Sequence, residues 1–215
     1  MTSLALDPAH QLTSAAALDT LYGTPNPNSL AKEVPYLHPH YRKFVEAAPF
    51  VALATVGAGG LDASPRGDAP GFVRVHDERT LLIPDRRGNN RIDSLKNLIA
   101  DPRIALLFLI PGIAETLRVN GRARITVDPA LLAAVAVGDK APRSVIVVDI
   151  ETVYFQCSRA LVRSRLWEPS AQISRSTLPS TGTLIADIGR SHHGGGFDGI
   201  AYDREQDARV AASLY

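Results

Sequence analysis

The spacing of apolar residues changes several times along the chain, and each change marks an element. Leu12, Ala15, Ala16, Leu18, Leu21 and Tyr22 recur at helical spacing and stop at Gly23, which predicts a helix closed by glycine. Thr24-Pro25-Asn26-Pro27-Asn28 predicts an extended linker after it. Residues 38–48 carry a second, shorter helical pattern. From Pro49 the period shortens. Residues 50–56 predict a strand, Gly57-Ala58-Gly59-Gly60 a turn, and residues 61–64 the hairpin partner. Residues 71–75 and 80–84 predict another hairpin about His76-Asp77-Glu78-Arg79. A polar loop over 85–90 precedes an amphipathic helix marked by Ile92, Leu95, Leu98 and Ile99 and ended by Asp101-Pro102.

Residues 104–110 are almost wholly apolar, as in a strand buried on both faces. Thr116, Arg118, Asn120 and Arg122 alternate with Leu117, Val119 and Gly121, the pattern of a half-buried strand. Residues 129–137 predict an Ala-rich helix opened by proline, 144–150 a strong strand, and 158–167 a short helix or turn. Polar loops and a glycine cluster then lead to a charged helix over 203–214. Hairpin-linked strands with few helices between them predict a mainly β, α+β fold. They point to a closed or partly closed antiparallel barrel rather than a doubly wound sheet. The expected organisation is a helical arm over residues 1–35, a barrel domain over 36–167 and a C-terminal extension over 168–215.

The chain has 215 residues, 45% of them hydrophobic and 21% charged, which fits one globular domain with decorated ends and excludes the composition of disorder. A net charge of +1 gives no global field toward nucleic acid or a membrane surface. One cysteine excludes an internal disulfide framework and any multi-cysteine metal site. No apolar run is long enough for a membrane helix, and residues 1–10 carry no signal-peptide pattern, so a cytoplasmic location is expected. The cations are lopsided, 19 Arg against 4 Lys, so phosphate contacts are expected from planar guanidinium forks.

Several motifs carry no chemistry. Gly194, Gly196 and Gly199 satisfy a dinucleotide-loop spelling, but no strand precedes them and no acid follows at the required distance. His38-Pro39-His40 and His192-His193 lack a convergent third ligand, so no metal site is expected. Cys157, beside Tyr154 and Phe155, is expected to be buried and inert.

The informative stretch is Ser64-Pro65-Arg66-Gly67-Asp68 through Ile83-Pro84-Asp85-Arg86-Arg87-Gly88-Asn89-Asn90-Arg91. Arginines, asparagines and glycines crowd the loops around two strands, and the next helix is expected to begin near Asn90. A helix start with Asn side chains and an adjacent Arg suits a dianion. The competing reading is that an Asn caps the helix and the arginines are solvated. A second polar loop at Ser64–Asp68 favours a ligand.

In order, these motifs, with Gly71-Phe72-Val73-Arg74 before them and Asp101-Pro102-Arg103 after, resemble the pyridoxamine 5′-phosphate oxidase-like flavoproteins over residues 36–167. Within that family the chain looks closest to a bacterial subgroup of FMN-dependent enzymes. The resemblance implies a six-stranded antiparallel split β-barrel and a homodimer with FMN at the subunit interface. It implies that Gly71, Phe72, Val73 and Arg74 run along the flavin, that Pro84 and Asp85 meet the ring and ribityl chain, and that Asn89, Asn90 and Arg91 hold the phosphate. Ser64 and Arg66 join the cofactor contacts, and Thr116 and Arg118 meet the flavin edge. Arg165 and Trp167 fall near it by position. The Arg-Leu-His stretch of the vitamin-B6 oxidases is missing, which argues against that substrate.

With FMN bound, Arg66, Arg118 or Arg165 would stabilise charge on the reduced ring, Arg66 first, and Asp68 is the candidate base. The activity implied is an FMN-dependent oxidoreductase acting on a small organic substrate. Alternatives on the same fold are a non-catalytic flavin or haem carrier, with His76 or His192 as axial ligand, and a deazaflavin-dependent reductase.

Overall fold

The computed structural model describes residues 4–193 and 195–214, and the side chains of all of these except 191–193. Gly194 and the side chains of His192 and His193, which bear on the glycine motif and the histidine pair, lie outside the described residues. The chain divides into two compact units, Met1–Glu33 and Val34–Tyr215.

The first unit holds a 3-10 turn at Pro8–His10 and helices α1 (Ala15–Tyr22) and α2 (Pro27–Ala31). The Ser14 side chain accepts from the Ala17 amide at 3.2 Å, and Gly23 closes α1 at φ 72°. The linker expected over 24–28 is partly helical. Asn26 caps α2 through the Asn28 amide at 2.9 Å, and Pro27 supplies a first helical residue that needs no amide proton.

The second unit begins with α3 (Pro39–Ala47), then β1 (Phe50–Gly57), β2 (Gly60–Gly67), β3 (Arg74–Asp77), β4 (Thr80–Asp85) and α4 (Asp93–Ala100). It continues with β5 (Arg103–Leu109), β6 (Thr116–Thr126), α5 (Pro129–Ala134), β7 (Ser144–Gln156) and α6 (Arg159–Ser164). It ends with α7 (Thr181–His193), α8 (Gly199–Arg204) and α9 (Gln206–Ala212). Among the described residues no helix is long and apolar enough to cross a membrane.

The strands form one antiparallel sheet in the order β2-β1-β5-β6-β7-β4-β3. It has seven strands, matching the seven runs read from the sequence and not the six that the family resemblance implies. β2 pairs with β1 along its whole length, from Gly57↔Gly60 to Phe50↔Gly67, so Pro65–Gly67, expected as loop, is strand. The end strands β2 and β3 each pair with one neighbour only, so the ladder stays open.

One face of the sheet carries the core: Val51 and Leu53 of β1, Leu106 and Phe108 of β5, and Leu117 and Val119 of β6 are buried, with Val45 of α3 and Leu98 of α4 against them. In β5 only alternate residues are fully buried, so this strand is covered on one face rather than both. Helix α4 turns Ser94 and Leu98 inward and leaves Ile99 78% exposed, against the helical pattern that grouped Ile99 with the core. Cys157 is exposed rather than buried, because it follows the last residue of β7, where the alternation ends.

Two local features make quantitative expectations. Gly121 sits where the β6–β7 register shifts, and a Cβ there would meet the Asp149 carbonyl oxygen at 2.1 Å. Gly121→Ala should destabilise the protein by about 1–3 kcal/mol or more in denaturant melts, since backbone must move to make room. Asp101, between α4 and β5, accepts from the Arg103 guanidinium at 2.6 and 2.9 Å and from the Arg103 amide at 3.0 Å. These bonds hold its carboxyl at about 2. Because the folded value lies below the unfolded one, the stabilisation is present above the ordinary carboxylate range and is lost as pH falls through the folded value. Arg103→Ala should return the Asp101 midpoint, followed by NMR, toward about 3.9.

Candidate functional site

Side-chain direction along the ladders places the site. Arg66 of β2 pairs with Val51, Val51 with Phe108, and Phe108 with Leu117, so Arg66 leaves the sheet on the face that carries the core. Ser64, paired with Leu53, does the same. At this edge the inner face opens into a cleft of about 380 Å³. Its walls come from β2, from Phe72, from the end of β4 at Pro84 and Asp85, from the following loop, from the start of α4, and from Arg143 just ahead of β7.

The cleft is rich in cations. Arg66, Arg86, Arg87, Arg91 and Arg143 line it against three carboxylates, Asp62, Asp85 and Asp93. Arg66 donates to Ser64 Oγ at 2.6 Å and to the Pro65 carbonyl at 2.9 Å, and its other terminal nitrogen stands 3.8 Å from Asp85. Burial pushes the Asp85 carboxyl above its ordinary range, against the pull of Arg66 and Arg143 in the other direction. Arg91 binds Asp93 at 2.7 Å with its side chain 75% exposed, and Arg143 donates to Asn90 Oδ1 at 3.0 Å. Arg87 is exposed and has no ion-pair partner among the described residues. On the opposite charge, Ser94, buried, donates to Asp62 at 3.3 Å.

The loop between β4 and α4 is conformationally special. Asn90 and Ile92 both adopt left-handed backbone, φ 60° and 52°, and bracket Arg91. Asn tolerates this region, but a β-branched residue such as Ile92 adopts it at a cost. Ile92 is also the N-cap of α4, with no side-chain cap. The helix thus starts at Asp93, not near Asn90, and neither asparagine caps it. Asn89 instead accepts from the Arg91 amide at 3.1 Å, within the loop.

Of the residues singled out in the sequence, Ser64, Arg66, Phe72, Pro84, Asp85, Asn89, Asn90 and Arg91 meet in this cleft. A smaller hollow of about 70 Å³ gathers Asp68, Gly71, Phe72 and Arg74 with Arg86. Gly71 has φ 79° and lies in the connection before β3, not within a strand. Val73 is buried in the core and lines neither space.

Four others stand apart. Arg118 pairs with Leu107, Leu107 with Ala52 and Ala52 with Pro65, which puts it on the face opposite Arg66. There it donates to the Tyr154 hydroxyl at 2.8 Å, and Thr116 on the same face donates to Gln156 at 3.4 Å. Arg165 closes α6 at φ 55° and binds Glu168 at 2.6 Å. The Trp167 ring nitrogen donates to the Ile113 carbonyl at 2.7 Å.

One residue and one pairing escape sequence reasoning. Arg143 reaches Asn90 from 53 positions away, and no local pattern marks it. The pairing of Asp68 with Arg86 at 2.9 Å is equally non-local, with the Asp68 side chain only 4% exposed. Asp68 is thus committed to an ion pair and to the Ala69 amide.

The family model for pyridoxamine 5′-phosphate oxidase matches residues 37–157, more than half of the chain. The chain belongs to this family. No curated protein sequence matches it significantly. Similar solved structures include HupZ from Group A Streptococcus, 17% identical over 55% of this chain and 92% of that one, with a TM-score of 0.45. A candidate pyridoxamine 5′-phosphate oxidase from Lactobacillus delbrueckii is 21% identical over 56% and 95% of the two chains, TM-score 0.44. A protein related to general stress protein 26 from Clostridium acetobutylicum is 14% identical over 54% and 85%, TM-score 0.41.

In this oxidase-family chain the buried Asp68–Arg86 pair joins the start of the β3 connection to the loop after β4. Removing one partner would leave the other charge desolvated and alone. Asp68→Ala should cost about 3–5 kcal/mol of stability. Adding Arg86→Ala should cost less than the sum of the two single changes, which a double-mutant cycle in urea would read.

Proposed function

We propose that the protein is an FMN-dependent oxidoreductase that binds the cofactor in the arginine-lined cleft and acts on a small organic substrate. The observation that carries this reading is the five arginines converging on one cleft from three segments: β2, the loop after β4, and the residue ahead of β7. Family membership supports it. A cleft of about 380 Å³ also lies in the range of roughly 300–1,000 Å³ usual for small-molecule sites. The donor set fits a phosphate ester joined to a flat, partly apolar body: forked cations and amide side chains on the loop, and Phe72 and Pro84 on the walls.

In this reading Asn89, Asn90 and Arg91 hold the phosphate, with Arg143 steering Asn90. Arg91 is available because its bond to Asp93 is solvent-exposed and weak. Phe72, Pro84 and the backbone from Gly71 to Arg74 flank the ring. Bound flavin would supply hydride acceptance and donation. Arg66, held by Ser64 and the Pro65 carbonyl, is oriented to offset negative charge on the ligand.

We take the sheet to be the family's split barrel, with residues 36–167 as the cofactor domain, 1–35 as an arm and 168–215 as an extension. A homodimer completes the reading. Thr116 and Arg118 occupy the face opposite Arg66, so they would meet the ligand of a second copy rather than their own.

No histidine lines the cleft, so haem finds no axial ligand there among the described residues, and His76 is exposed on β3. His192, the other axial candidate, lies outside the described side chains.

The test is FMN titration followed by flavin absorbance and fluorescence. Wild type should take up FMN, and Arg91→Ala should weaken it by about 10- to 100-fold, the usual weight of a charge-assisted bond. Riboflavin, which lacks the phosphate, should bind weakly and be indifferent to Arg91→Ala. Failure of wild type to take up FMN would overturn the assignment.

A further inference from the structure

Three ion pairs border the cleft, and they differ in kind. Arg86–Asp68 at 2.9 Å and Arg91–Asp93 at 2.7 Å are hydrogen-bonded. Arg66–Asp85 is not: 3.8 Å separates the nearest atoms, and Arg66 spends a terminal nitrogen on Ser64 and Pro65 instead. The Asp85 carboxylate accepts no hydrogen bond from any described residue, although its side chain is only 17% exposed. Asp85 ends β4 opposite Ser144, next in the chain to Arg143, so cations approach it from β2 and from the start of β7. It is therefore attracted by Arg66 and Arg143 but not fastened to Arg66 by a hydrogen bond.

We propose that Asp85 is an internal counter-anion: its carboxylate competes with a ligand's dianionic group for Arg66 and Arg143, so that neutralising it tightens dianion binding. This rests on the cleft being a phosphate site, with Arg66 and Arg143 adding their attraction to the hold that Arg91 supplies. The other charged groups facing the cleft are accounted for. Arg86 is held by Asp68, and Arg91 by Asp93 with Asp62 adding its attraction, so these carboxylates act on the loop arginines rather than on Arg66 and Arg143. Arg87, next to Arg86 in the loop, adds positive charge. No histidine lines the cleft, and burial pushes the Asp85 carboxyl upward, so falling pH neutralises the anion that faces Arg66 and Arg143. Protonation removes the competitor, and by linkage a bound dianion raises the Asp85 midpoint further.

The probe is sulfate, a dianion throughout the mildly acidic and neutral range. Its affinity is read from the rise in melting temperature with sulfate concentration, against chloride at matched ionic strength. General salting effects act equally on the variants and cancel between them. Asp85→Asn should bind sulfate at least about tenfold tighter than wild type near neutral pH. The wild-type affinity should climb more steeply than the variant's as pH is lowered. Asp85→Ser, also neutral, should repeat the result, and Asp149→Asn, at an ion pair with Arg124 outside the cleft, should not. Equal affinity in wild type and Asp85→Asn, equal tightening by Asp149→Asn, or no sulfate binding by either protein would overturn the inference. FMN uptake is scored separately. Tightened sulfate binding without FMN uptake removes the flavin reading alone, and FMN uptake with unchanged sulfate affinity removes the Asp85 inference alone.

Discussion

Because Arg66 is paired with Val51, and not with Ala52 one residue on, its guanidinium leaves the sheet on the side of the core. A slip of one residue in the β1–β2 ladder would turn Ser64 and Arg66 outward and bring Pro65 and Ala63 in. The cleft would then lose both its inner cation and the hydroxyl that orients it. The facing of β1 itself is fixed by the core: Val51 and Leu53 are fully buried and pair with Phe108 and Leu106 of β5. Gly57 to Gly60 closes the hairpin with two intervening residues, which leaves the ladder no slack. The packing of one strand pair thus decides the electrostatics of the site.

Within the cleft, burial separates charges that shape the fold from charges free to meet a ligand. Asp68 and Arg86 are both largely desolvated and bonded to each other, so they belong to the scaffold. Arg91 is mostly in water, where an ion pair contributes little, so a phosphate can take Arg91 at little cost. Arg66 and Asp85 fall between. They are desolvated enough for charge to matter and too far apart to be locked. A cleft built this way keeps its shape whether or not a ligand takes up its cations.

What the sequence makes legible follows how local the cause is. The hairpins of β1–β2 and β3–β4 are read from turn residues and alternation, and α3 from a short apolar period, because each signal lies within a few positions. Clustering of Ser64, Arg66, Pro84, Asp85 and Asn89 to Arg91 is legible from the same short window plus the family's order of motifs. The start of α4 is not. Ile92 is an apolar residue in left-handed backbone, and no cap residue announces it. Arg118 looks like a partner of Arg66 until the register is followed across β6, β5, β1 and β2, four strands that no local pattern aligns. Arg143 is the extreme case: its role exists only because β7 lies beside β4, and its contact spans 53 positions. Cys157 fails for a simpler reason, since burial by alternation cannot be extended past the end of the strand that generates it.

The strain at Ile92 then acquires a reason in the same terms. Had residues 89–92 continued α4 backward, the side chains of Asn89, Asn90 and Arg91 would fan around a helix at about 100° per residue, and at most one or two could face the cleft. Left-handed backbone at Asn90 and Ile92 folds the segment into a loop instead, at a cost of about 1–3 kcal/mol for the β-branched residue. All three residues consequently line the cleft together. Arg143 holds the loop at Asn90, the first of its two left-handed positions, and Asn89 holds the Arg91 amide. Helix α4, packed through Leu98 against the core, anchors the other end. The chain accepts an unfavourable residue at Ile92 because tertiary contacts on both sides over-determine the loop, and the result is a concentration of polar groups that regular helix could not present.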